Sequence, residues 1–207
     1  MLEALTGSGL AASAGLNAYI PLVVMGLLSR FTDQVDLPSG WSWLANGWTL
    51  AILIALLAVE VVADKIPVVD HVNDIVQTFV RPTAGGLAFG AGSSAQTVSD
   101  PGTFFGSHQW VPIASGVLIA LGVHGVKAAS RGVINVTTAG FGAPVASTAE
   151  DVSSVVLSLL ALLVPVLVLI AFALLAWAAI MVIRLRRQKR RAKRVQVSDS
   201  EATRVLG

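Results

Sequence analysis

The chain has no cysteine, which removes disulfides, thiolate metal sites, iron–sulfur clusters and cysteine nucleophiles at once. Charge is also scarce: 13% of the 207 residues are Asp, Glu, Lys or Arg, against about 25% in soluble domains. Meanwhile 55% are hydrophobic and mean hydropathy is +0.77. This balance excludes a water-soluble globule, a disordered chain and a coiled coil. The apolar residues come in long blocks rather than in alternation, which argues against an outer-membrane barrel. P-loop, G-x-G-x-x-G, HExxH and G-x-S-x-G motifs are all missing, so no enzyme class is indicated and no cofactor is expected. The composition predicts an all-α integral membrane protein, a bundle of 4–5 transmembrane helices.

The charge that is present is unevenly placed. Eight of the 14 bases crowd into 184–194, and outside that run six bases face 12 acids. The basic cluster follows an apolar run directly, the positive-inside pattern, which predicts a cytoplasmic C-terminus. The chain therefore reads as a polytopic membrane domain over 1–183 and a basic, disordered cytoplasmic tail over 184–207. The tail is expected to attract anionic lipid, not nucleic acid.

The first apolar stretch, 9–28, lacks the basic start of a signal peptide and reads as a retained helix interrupted by Asn17, Tyr19 and Pro21. Trp41, Trp43 and Trp48 mark the headgroup level. A second helix runs over 48–65 until Pro67 stops it. An amphipathic segment follows over 66–81, with Val68, Val69, Val72, Ile75, Val76, Phe79 and Val80 on one face. At roughly 21 Å it is too short to cross a core of about 30 Å. It is therefore expected in the interface or packed inside the protein. Arg81-Pro82 opens a Gly/Ala/Ser-rich stretch to 98, read as a separate short or re-entrant helix. A fourth helix covers 111–131. Ser147-Thr-Ala-Glu150 reads as a capping box before the apolar run 152–183, which Pro165 kinks or divides. Ser8-Gly9, Gly15 and Asn17 recur as Ser115-Gly116, Gly122 and His124 at an offset of 107, a hint of internal duplication.

Depth selects the candidate site. Glu60 lies roughly 18 Å into its helix and Asp64 one turn further on the same face, with Lys65 adjacent. On the fourth helix His124, Lys127 and Arg131 share a face, with His124 roughly 20 Å deep. Each ionised group at such depth costs about 2.5–3.5 kcal/mol on insertion scales, so these groups must turn inward and pair, or line water. With Asp70, Asp74 and Arg81 added, four acids balance four bases, which predicts a closed polar core. Asp70, His71 and Asp74 could alternatively form a solvated helix face or a pair of metal-capable ligands, although no metal is assigned. Asn17 joins the candidates as a polar residue inside an apolar helix. This core would host an ion, a proton or a small polar solute, or else fix helix packing through ion pairs alone.

Gly15-Leu-Asn-Ala-Tyr-Ile-Pro21, Glu60-x-x-x-Asp64-Lys65-Ile-Pro67-x-x-Asp70-His71, Arg81-Pro82 and His124-x-x-Lys127-x-x-x-Arg131 together resemble the bacterial membrane family known as domain of unknown function 4126. The resemblance covers roughly 9–165. It implies a multi-pass protein of the bacterial cytoplasmic (inner) membrane and carries no established activity. The expected function is a small transporter or channel-like protein for an ion or small polar solute, proton-coupled. The alternatives are a membrane component that stabilises a larger complex and a binder of anionic lipid headgroups through Arg81, Lys127 and Arg131. The bilayer is the expected partner, with a second copy or another membrane protein as further candidates.

Overall fold

The computed structural model describes residues 2–65, 67–93, 110–138, 141–174, 176–177, 180–181 and 183–184. All regular structure among them is helical: α1 (Leu2–Leu16), α2 (Ile20–Phe31), α3 (Gly47–Ala63), α4 (Pro67–Gly92), α5 (Trp110–Thr138) and α6 (Ala143–Leu163), with 3₁₀ turns at Ser39–Ala45 and Pro165–Leu167. The chain divides into two compact units, 1–171 and 172–207, and every element above lies in the first. The basic tail beyond Arg184 falls outside the described residues.

Among the described residues two helices are long and apolar enough to cross a membrane, Trp110–Ile134 and Ala143–Leu163, and α3 with its preceding turn, bent by 60°, adds a third where the pair is taken as one span. Their burial pattern is inverted relative to a soluble protein. Ile52, Val59, Val62, Ile75, Phe79 and Leu118 lie outside, while Glu60, Asp64, Gln77, Arg81, Lys127 and Arg131 lie inside. Such an exterior needs an apolar solvent, and a membrane supplies one.

The amphipathic segment departs from expectation in its length. It does not end at Arg81-Pro82: α4 is one helix of 26 residues, about 39 Å long, passing through Pro82. Pro82 has no N–H to give the Thr78 carbonyl, a penalty that packing of the second half of α4 against α1 and α5 overrides. The stretch after Pro82 is therefore helical to Gly92, and 94–98 lie outside the described residues. Its polar face turns inward, as a closed polar core requires: Ile75, Val76 and Phe79 point out and Gln77 and Arg81 point in.

α4 and α5 run antiparallel. A Cβ at Gly90 would meet Ile113, one at Gly86 would meet Ile113 and Val117, and one at Gly85 would meet Ala120 and the Gly116 carbonyl. Glycine lets the two backbones touch and brings Arg81 beside His124. On α5 the inward stripe is Gly116, Ala120, His124, Lys127 and Arg131, small where the helices cross and charged beyond. Gly116→Val is expected to cost about 1–3 kcal/mol by overpacking against the Gly85 carbonyl and Phe89. Gly122→Ala, with nothing within 4 Å of its added carbon, should be neutral or stabilising by up to about 1 kcal/mol. Thermal unfolding in detergent checks the contrast; equal effects would show that contact at the crossing is not what matters. The same contrast makes the repeat uneven, because Gly9, Gly15 and Gly116 sit at close crossings and Gly122 does not.

The first apolar stretch is not one span. α1 stops at Leu16 and α2 starts at Ile20, giving lengths of about 22 and 18 Å. Gly7 lies on Phe89, and Gly92 on Leu10. Gly26 backs onto Leu44, whose turn places Trp41 on Gly90. Both helices thus lead away from the Leu16–Ile20 break toward the C-terminal end of α4, as a hairpin with its tip at mid-protein. Trp41 is buried, so of the three tryptophans at 41–48 Trp43 and Trp48 alone present indoles outward. α6 begins at Ala143, with Pro144 in its first turn, and Ser147 lies inside the helix. The capping-box reading fails because the helix starts one turn earlier. The last apolar run is divided at Val164, as Pro165 predicts.

Candidate functional site

Asp64, at the C-terminal end of α3, is the centre of the buried polar cluster. Its Oδ2 lies 3.1 Å from Lys127 Nζ, 3.2 Å from Arg131 Nη2 and 3.6 Å from Arg81 Nη2. Its Oδ1 accepts from Asn73 Nδ2 at 2.7 Å. One turn earlier, Glu60 Oε1 accepts from Arg81 Nη2 at 2.9 Å. From α6, Glu150 Oε2 meets Arg131 Nη2 at 2.6 Å and Lys127 Nζ at 3.1 Å. Glu60, Asp64 and Glu150 thus face Arg81, Lys127 and Arg131, three against three. Relative exposure is 0–3% for all but Glu150, whose side chain is 14% exposed. Neutrality of the group is what makes its burial tolerable, because any lone charge here would keep its full desolvation penalty.

Lys127 has three N–H bonds to give and three acceptors around it: Asp64, Glu150 and the Leu16 carbonyl at 2.9 Å. The break between α1 and α2 supplies that carbonyl, which explains why a helix ends in the middle of the protein. Arg81 Nη1 lies 3.2 Å from His124 Nδ1, and His124 Nε2 lies 3.3 Å from the Thr78 hydroxyl. A guanidinium only donates, so Nδ1 accepts, and His124 is neutral with its proton on Nε2. His124 therefore joins the site as an acceptor for Arg81, not as one of its charges.

Asn17 sits at the hairpin tip. Its Oδ1 accepts from the backbone N–H groups of Tyr19 and Ile20 at 3.1 and 3.2 Å, capping α2. Its Nδ2 donates to Asp151 Oδ1 at 2.9 Å. Lys65 approaches Asp151 only to 3.9 Å and its side chain is 38% exposed, so it marks the edge of the network. Above this level the Ser13 hydroxyl lies 2.7 Å from those of both Ser154 and Ser158, a buried hydroxyl cluster between α1 and α6.

The structure therefore joins Glu60, Asp64, Arg81, His124, Lys127 and Arg131, places Asn17 beside them and leaves Lys65 at the rim. Asp70, His71 and Asp74 lie on α4, and their side chains fall outside the described residues. The expected four-and-four balance is not tested, because the Asp70 and Asp74 side chains are not described, but two further acids, Glu150 and Asp151, enter from α6. These two were missed, along with Asn73 and Thr78. The signal was present in the spacing of Ser147, Glu150, Asp151, Ser154 and Ser158, a polar stripe on one face of an otherwise apolar helix.

Apart from Glu150, the charged cluster is drawn from the motifs quoted from the sequence, and the family profile described as "Domain of unknown function (DUF4126)" matches residues 4–185. The chain belongs to this family. The match extends beyond both ends of the stretch that the motifs span, and it includes Glu150, Asp151 and the whole of α6. No curated protein and no solved structure matches the chain. Within the family's span, all six members of the charged cluster come from α3, α4, α5 and α6, while α1 contributes a backbone carbonyl.

Proposed function

We propose that the protein is a small transporter or channel-like protein for an ion or small polar solute, coupled to a proton that is carried on Glu60. The observation behind this reading is the state of the Glu60 carboxyl. The residue is 1% exposed, one oxygen is held by Arg81, and Oε2 has no hydrogen-bond partner. A buried carboxyl with an idle oxygen beside a compensated ion-pair network is chemically equipped to take and release a proton. The broken α1–α2 hairpin adds support, because helix ends that terminate at mid-membrane are a recurrent way of building solute sites. The arrangement fits a bundle of four or five crossing helices in a bacterial cytoplasmic membrane, with the basic tail on the cytoplasmic side against anionic lipid.

Proteoliposomes with an imposed pH gradient and a trapped pH-sensitive dye test the reading. The wild type is expected to dissipate the gradient, and Glu60→Gln to fall to the rate of empty liposomes while remaining folded by circular dichroism. A Glu60→Gln protein with undiminished flux would remove Glu60 from the pathway.

A second reading, a membrane component that stabilises a larger complex, is favoured by α3. Apart from Leu50, Glu60, Ala63 and the capping Asp64, this helix lies mostly outside. Stoichiometric co-purification of one membrane protein after mild extraction, lost on Val59→Arg, would support it, and a lone chain would count against it. Headgroup binding is the least favoured reading, because Arg81, Lys127 and Arg131 are buried against carboxylates.

A further inference from the structure

Three buried polar atoms on α3 and α4 have no hydrogen-bond partner: Glu60 Oε2, Arg81 Nε and Gln77 Oε1. The first two belong together. Nε and Nη2 share one edge of the guanidinium fork, and that edge usually grips both oxygens of a carboxylate. Here Nη2 holds Glu60 Oε1 at 2.9 Å, while Oε2 and Nε are the two unused halves of the same pairing. Gln77 is one turn before Arg81 on the inward face of α4, and the residue is 3% exposed. The set comprises two acceptors and one donor. A metal cation would be repelled by the guanidinium, and an anion by the carboxylate. The complement is a small uncharged molecule that donates two hydrogen bonds and accepts one, and water is the smallest that qualifies.

We infer that Glu60 Oε2, Gln77 Oε1 and Arg81 Nε form a binding site for a single water molecule, and that the proton reaches Glu60 through it. The second part rests on the transport reading given above. Oε1 is committed to Arg81, so Oε2 is the oxygen left for a proton. The water keeps one lone pair on Arg81 Nε–H and has a second lone pair to receive a proton from the hydronium of the aqueous phase or its relay. It releases one of its own hydrogens to Oε2 and ends as water, with Glu60 a neutral carboxylic acid. Gln77 anchors the other hydrogen and fixes the orientation, so it is a positioning residue.

Two measurements on the full chain test this. A structure in lipid that resolves ordered water is expected to show density within hydrogen-bond distance, about 3.2 Å, of all three atoms. Absence of that density, with neighbouring waters visible, would overturn the site. Gln77→Leu keeps the size and the Glu60–Arg81 pair but removes the anchor. Its proton flux is expected to fall about a hundredfold, the low end for a positioned proton-transfer group, with unfolding temperature unchanged. Gln77→Glu, which retains the acceptor, should recover part of it. Wild-type flux in Gln77→Leu alongside a silent Glu60→Gln overturns the water's role and leaves the Glu60 reading intact. Density at the site with no wild-type flux keeps the water site and rejects transport.

Discussion

Asp64→Ala should destabilise the protein by about 3–5 kcal/mol, the range for stripping one partner from a buried ion pair. The cause is not the lost volume. Oδ2 is the one oxygen within 3.6 Å of Arg81, Lys127 and Arg131 together, and its removal leaves three cations sharing Glu60 and Glu150. Guanidinium groups cannot shed their protons, so two of the three must stay charged in a medium that solvates them poorly. Asp64→Asn separates the two explanations: it preserves shape and the Asn73 contact region but not the charge, and should cost nearly as much. Asp64→Asn combined with Lys127→Met restores neutrality and should regain much of the loss. Thermal unfolding in detergent reads all three variants. An Asp64→Asn protein as stable as wild type would show that the cluster is held by shape, not by charge balance.

How much of this centre could be read from residues alone follows from the same energetics. Charge inside an apolar run is expensive enough that it has to be explained, so Glu60, Asp64, Lys127 and Arg131 stood out from depth alone. Glu150 did not, because a carboxylate three residues after a serine before an apolar run has a cheaper local explanation as a cap. Pro144 in the first turn of α6 moved the helix start upstream and turned that carboxylate inward. Arg81-Pro82 shows the opposite failure. The local rule says that proline ends a helix, yet α4 continues because its glycines lie flush against α5 and α1, and nothing at residues 81–82 announces those neighbours. The polarity of the α4 faces was legible from periodicity, and the need to pair buried charge, not periodicity, turned the Arg81 side inward. The same periodicity serves a soluble helix with its apolar side in or a membrane helix with its apolar side out. The hairpin tip was half visible: Asn17 and Pro21 announced a break, but not that the freed Leu16 carbonyl would receive Lys127.

Arg81→Met should also cost about 3–5 kcal/mol, and for a reason that makes it reversible by a second change. Arg81 is fully buried, holds Glu60, leans toward Asp64 and is accepted by His124. Replacing it with a thioether leaves the Glu60 carboxyl with neither oxygen bonded to a cation. Adding Glu60→Gln removes the stranded charge. The double variant should then lie within about 1–3 kcal/mol of wild type, the cost of a buried amide that lacks partners. The coupling between the two sites is the measurable quantity, and pairs in contact typically show about 0.5–3 kcal/mol. A double variant that loses as much as the sum of the singles would mean that Glu60 and Arg81 act independently, which their 2.9 Å contact contradicts. The double variant also separates architecture from activity. It should fold, insert and keep the Asp64–Lys127–Arg131–Glu150 half of the network, yet carry no proton, since both the carboxyl and its guanidinium are gone. Restored stability without restored flux is the combination that a merely structural ion pair could not produce.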